Sequence, residues 1–113
     1  METQKIDRQL AEIGVRKQVK DYLNSNRNLI PIEFLHNEEA NEHIINIGTS
    51  IMLNKVGIDT YPGSFVKSIL DNDLSAAVGR ADHINQKVLP FYVTMMYNLR
   101  IEIKNEWKVE IEV

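Results

Sequence analysis

The last fifteen residues, LRIEIKNEWKVEIEV, restrict the fold more sharply than any other part of the chain. Leu99, Ile101, Ile103, Trp107, Val109, Ile111 and Val113 place apolar side chains at odd positions, and every even position from Arg100 to Glu112 is charged. Alternation of period two is the signature of a strand with one buried face. A single strand of that length would run about 50 Å, too long for a small domain, so the pattern predicts a hairpin. Parity then selects its loop. A two-residue turn would pair Ile103 with Glu106 and mix apolar and charged side chains on one face. A three-residue loop of Lys104, Asn105 and Glu106 pairs Ile103 with Trp107, Ile101 with Val109 and Leu99 with Ile111. The same register sets Arg100 against Glu110 and Glu102 against Lys108, each pair worth about 0.2–1 kcal/mol.

At 113 residues, 43% apolar and 26% charged, the chain has the size and composition of one folded domain spanning 1–113. A net charge of −3 argues against a dedicated nucleic-acid coat, which needs a surplus of Lys and Arg on one face. The absence of cysteine removes disulfides, thiolate zinc sites and cysteine nucleophiles together. No apolar run approaches the roughly 20 residues that span a bilayer, and the charged start METQKIDRQ has no signal-peptide core behind it. The expectation is a soluble cytoplasmic protein with no membrane partner.

Residues 3 to 24 read as a helix with Thr3 as N-cap and Asn24-Ser25-Asn26 as its stop. Its apolar positions change phase. Ile6, Leu10 and Ile13 fall on one side, Val15, Val19, Tyr22 and Leu23 nearly opposite, with Gly14 at the switch. Either the helix bends there or its first half faces something other than its own core, which makes residues 1–26 a candidate arm for a partner or a second copy. Pro31 within RNLIPIEFL points to an edge strand near Ile30, Ile32 and Phe34. Asn37 is placed to cap a helix that ends before Gly57. Thr60 and Pro62 resemble the start of the next helix, with Phe65, Val66, Ile69 and Leu70 on its apolar side. Asp71-Asn72-Asp73 ends that helix and caps another, whose stripe of Leu74, Ala77, Val78 and Ala81 continues to Met96 past a kink at Pro90. Gly79 would allow close packing at this helical corner. The expected fold class is α+β: about four helices packed on a small antiparallel sheet with a C-terminal β-hairpin, strands about 99–103 and 107–113.

Candidate sites are few. Glu39 and His43 lie four apart and His36 is nearby, but two ligands at helical spacing do not make a zinc site, so no metal is expected. Asp82 beside His83 reads as a helix cap, since neighbours on a helix point to different faces. No serine lies in a Gly-x-Ser-x-Gly turn, and Pro62-Gly63-Ser64 lacks the glycines and lysine of a phosphate loop, so neither catalysis nor a cofactor is expected. Arg16, Lys17, Lys20 and Arg27 make residues 14–28 locally basic. That cluster suits phosphates, a nucleotide or RNA backbone, although Glu12 and Asp21 flank it and a solvated helix face is the simpler reading. Arg80 and Asp82, with Asn72 and Asp73, are the polar groups of the most patterned block. They either hold the corner, with Arg80 on a carboxylate, or present an arginine and an amide to a ligand or partner.

The stretch GIDTYPGSFVKSILDNDLSAAVGRADHIN, followed by a helix ending in Tyr97-Asn98, carries Pro-Gly-Ser-Phe, Asn-Asp-Leu and Arg-Ala-Asp in order. This pattern resembles that of small phage and prophage proteins over residues 57–98. The resemblance implies no catalytic residues. It implies a mobile-element context, in which small proteins act by binding host proteins, nucleic acids or signalling nucleotides. The leading expectation is therefore a non-enzymatic phage-type interaction protein, an inhibitor of a bacterial defence system such as a CRISPR effector. Its contact surfaces would be the phase-shifted helix and the hairpin edge. Two alternatives stand beside it: a nucleotide-sequestering module using Arg80, Tyr61 or the basic cluster, and a structural homo-oligomer built on the N-terminal helix.

Overall fold

The amide of Asp7 donates to the carbonyl of Trp107 at 2.6 Å, so the chain's first helix starts where its last turn ends. In this computed structural model, which describes the backbone of residues 2–112 and the side chains of 5–109, strand β1 (Glu2–Ile6) leads into helix α1 (Arg8–Ser25). There follow α2 (Ile32–Leu35), α3 (Glu38–Lys55), α4 (Ser64–Leu70), α5 (Leu74–Arg80), α6 (His83–Lys87) and α7 (Leu89–Asn98), then strand β2 (Lys108–Glu112). Short 3-10 turns cover Arg27–Leu29 and Asn105–Trp107.

The core is helix on helix. Ala11, Val15, Val19 and Leu23, four residues apart, form one buried stripe on α1. It meets α3, where Ala40, Ile44, Ile51 and Met52 are buried. The two helices approach closely at Gly48, where a Cβ would lie 2.9 Å from a Val19 methyl carbon. From α7 come Phe91, Tyr92, Met95 and Met96, and from α4 come Phe65, Val66 and Ile69. Phe91 lies 5.9 Å from Tyr22 and 6.0 Å from Tyr92 between ring centroids, tilted or edge-on as aromatic quadrupoles prefer.

The helix ends follow cap chemistry. The Asn37 carboxamide accepts from Ala40 N at 3.0 Å and opens α3. Gly57, at φ 81°, closes it with amide bonds from Gly57 to Asn54 and from Ile58 to Leu53. The corner after α4 uses the same motif with Asn72 at φ 61°. There Asn72 N donates to Ile69 O, and Asp73 N to Ser68 O. The Asp73 carboxylate then caps α5 through Ala76 N at 3.0 Å, as the polar break predicts.

Several expectations are corrected. The molecule is helix-dominated, with seven α-helices among the described residues and one two-stranded antiparallel sheet, and is not an α+β fold of about four helices on a sheet. The C-terminal hairpin does not form. β2 pairs with β1, Thr3 opposite Ile111 and Lys5 opposite Val109, so residues 2–6 are strand and not the start of a helix. Position 113 of the expected second strand lies outside the described residues. Residues 99–104 form neither helix nor strand and have no strand partner. Instead, the Gln18 carboxamide takes the place of one, donating to Glu102 O at 3.0 Å and accepting from Glu102 N at 2.8 Å. The physical reason lies at Gly14. The buried Trp107 ring occupies the space a side chain there would need, since a Cβ would fall 2.0 Å from Trp107 Cζ2. Anchoring the indole on α1 brings β2 beside the segment that precedes α1.

The third strand near Ile30 is absent as well. Only Ile30 and Phe34 of that segment are buried, and 32–35 make one helical turn. Thr60–Pro62 is not a helix start, since α4 begins at Ser64. The stripe from Leu74 to Met96 is three helices, with Pro90 in the first turn of α7, where its missing N–H is tolerated. Of the α5 stripe only Ala77 is buried. Leu74 and Val78 are about half exposed, and Gly79 faces open space.

Candidate functional site

α1 presents two faces with different chemistry. Its inward stripe is closed against α3, while Leu10, Ile13, Lys17, Asp21 and Asn24 recur at helical spacing on the opposite side. Ile13 is 68% exposed and Leu10 44%. The phase change at Gly14 is therefore not a bend, since the helix is continuous from Arg8 to Ser25; Leu10 and Ile13 face outward, whereas Ile6 belongs to β1 and packs half-buried against the core. Val109, 41% exposed, adds an apolar side chain on the ribbon that meets the helix's first turn.

The N-terminal end of this helix is fixed in place. The Asp7 carboxylate accepts from Gln9 N at 3.0 Å and Leu10 N at 3.1 Å. Arg8 reaches Asp59 with two bonds, Nε to Oδ1 at 3.1 Å and Nη2 to Oδ2 at 2.9 Å, tying α1 to the connection after α3. A fork-to-fork pair of this kind restrains orientation even where solvent limits its energy. Trp107 on Gly14 and the Gln18 clamp secure the next two turns. The outward side chains are thus displayed from a rigid support.

The basic cluster does not form one patch. Arg16 is spent on α3, where it bonds Glu42 and Asn46. Lys17 borders a shallow recess shared with Glu102 and Glu106. Lys20 and Arg27 line a different and larger groove between the end of α1 and the start of α3. Arg27 is held there by the Leu35 carbonyl and the Asn24 side chain, both at 3.0 Å.

The second group of candidates, at the corner, is structural in every contact it makes. Arg80 donates to Ser68 Oγ at 2.9 Å and pairs with no carboxylate among the described residues, so the expected ion pair is replaced by a hydroxyl bond linking α5 to α4. Asn72 supplies the left-handed residue, Asp73 caps α5, and Asp82 caps α6 through Asn85 N at 2.7 Å. Asp82 also stands 3.0 Å from His43 Nε2, an ion-pair distance but off the line of a hydrogen bond. No cluster of three or more His, Asp or Glu side chains suited to a metal occurs among the described residues. Tyr61, the other nucleotide candidate, is almost fully exposed on the loop before α4.

Sequence reasoning weighed His36 only beside Glu39 and His43 as a metal ligand and missed Asn41; both line the groove. Both are brought to Lys20 and Arg27 by the α1–α3 crossing, for which no local pattern exists. No helix among the described residues is long and apolar enough to cross a membrane. No family model, curated protein or solved structure matches the chain.

Proposed function

We propose that this chain is a non-enzymatic interaction protein that docks on another protein through the outer face of α1. The observation that carries this reading is the exposure of Ile13 and Leu10 one turn apart on a helix whose core-facing stripe is already filled. Single exposed aliphatic residues are ordinary. Two on one rigid helix face, continued by Lys17, make the anchor spacing by which a helix seats in a groove. An 18-residue helix offers a face about 27 Å long. With the adjoining ribbon, that is enough surface for one side of a specific interface of about 800 Å² per partner.

The phage-like pattern of residues 57–98 supports a partner from an infected host, and a defence effector of the CRISPR type is the member of that class we propose. A homo-oligomer would use the same face, with a second copy as the partner. Native mass spectrometry of protein purified gently from a bacterial lysate tests the reading, using wild type and a Leu10→Glu/Ile13→Glu double variant in parallel. Both residues are exposed, so the variant keeps its fold. Wild type carries added protein mass and the variant loses it. Equal bound mass in both, or bare protein in both, contradicts the proposal.

A further inference from the structure

The groove at the other end of α1 has a composition that the protein-docking face does not explain. It encloses about 560 Å³, within the range of small-molecule sites. Its floor is apolar, with Leu23 and Ile45 buried and Leu35 half-buried. The α1 side contributes two cations. Arg27 is oriented by neutral partners, the Leu35 carbonyl and the Asn24 carboxamide, which use two of its five N–H groups and none of its charge. Lys20 is exposed and forms no ion pair among the described residues.

The α3 side contributes acceptors. Glu42 is engaged by Arg16, but Glu38 in the first turn is free among the described residues. Asn41 donates its Nδ2 to the carbonyls of Phe34, Leu35 and Asn37, which fixes the orientation of its amide. Its Oδ1 is left buried and without a donor. It is closed to solvent and out of a groove ligand's reach, so the acceptor open to the groove is the exposed Glu38 carboxylate. Arg27 and Asn41 meet at the Leu35 carbonyl, so the groove sets two cations and the Glu38 carboxylate around an apolar floor.

We propose that this groove binds a small phosphate ester carrying a flat, amine-bearing ring, the chemistry of an aminated nucleoside monophosphate. The phosphate sits between Lys20 and Arg27, the ring lies on Leu23, Leu35 and Ile45, and the amine N–H groups turn toward Glu38. This goes beyond the docking face and does not depend on it, because Leu10 and Ile13 lie outside the groove.

The test is a titration of the full ¹⁵N-labelled chain with adenosine monophosphate, with inorganic phosphate and adenosine run separately. The nucleotide produces saturable amide shifts confined to residues 20–27 and 35–45. It binds about tenfold or more tightly than either fragment, as expected when two ends of one ligand are recognised together. Lys20→Gln lowers nucleotide affinity about tenfold and leaves the remaining spectrum unchanged, reflecting loss of one charge-assisted bond. Arg27→Gln weakens binding similarly; because Arg27 also holds Leu35, the Lys20 variant separates recognition from folding. The proposal is overturned by no saturable shift at millimolar nucleotide, by nucleotide binding no tighter than phosphate, or by undiminished affinity in Lys20→Gln. Shifts scattered over all exposed lysines overturn it too, since they mean unspecific attraction of an anion.

Discussion

Gly14 and Trp107 form the contact on which the arrangement of both chain ends depends. The indole is 2% exposed and lies where a methyl group at position 14 would have to go. Alanine is favoured over glycine by about 1 kcal/mol in a helix interior, so propensity alone makes Gly14→Ala stabilising. The clash reverses that sign. Forcing a methyl into an occupied site costs about 1–3 kcal/mol or expels the ring. Trp107 is the only tryptophan, so its fluorescence reports the outcome directly. Gly14→Ala is expected to lower the unfolding midpoint and shift emission to the red. A more stable variant with unchanged emission would mean that the ring does not pack there. The sequence marks Gly14 as special through the phase change around it, yet it cannot show that a residue 93 positions later fills the gap, because nothing local connects them.

Among the elements, most helix caps were legible, though α1 is capped by Asp7 and not by the expected Thr3, and the elements joined by distant contacts were not. Asn37, Gly57, Asp73 and Asp82 sit at helix ends where their backbone chemistry puts them. The alternation after Leu99 correctly identifies β2 as a strand but not its partner. Period two specifies a face, whereas pairing is decided by which edge is brought near, and here the burial of Trp107 brings β1. The junction of α6 and α7 carries a similar non-local tie. Tyr92 is fully buried, and its hydroxyl donates to Asn85 Oδ1 at 2.6 Å. Burial, and to a lesser degree the negative charge of Asp82, pushes the phenol well above its ordinary value of 10.0.

The consequence for stability has a definite sign. The unfolded chain loses this proton near pH 10 while the folded chain keeps it, so the contribution is complete below pH 10 and falls away as pH rises further. Tyr92→Phe is expected to cost about 1–3 kcal/mol at neutral pH by leaving Asn85 Oδ1 unpaired in the core. Its stability should also decline less steeply than wild type between pH 10 and 11 in chemical denaturation. Parallel decline in the two proteins would contradict the assignment.

For the whole molecule, a radius of gyration of 15.1 Å exceeds the roughly 13 Å of a compact chain this long. The extents of 52 × 27 × 22 Å show the elongation along one axis. A two-stranded ribbon is marginal alone, and among the described residues it is tied to the helices at its base, through Trp107 on Gly14 and the Asp7 amide bond to Trp107. The outer face of α1 rises from that base, its apolar half presented to solvent by contacts that hold the opposite half in the core. The proposed docking of a partner protein uses this surface. The most direct measurement of this claim is site-specific photo-crosslinking in living bacteria, with a photoreactive phenylalanine analogue at Ile13 in one strain and at Lys67, on the exposed side of α4, in another. The account predicts one discrete covalent adduct from position 13 and none from position 67. No adduct at 13, or the same adducts from both positions, would contradict it.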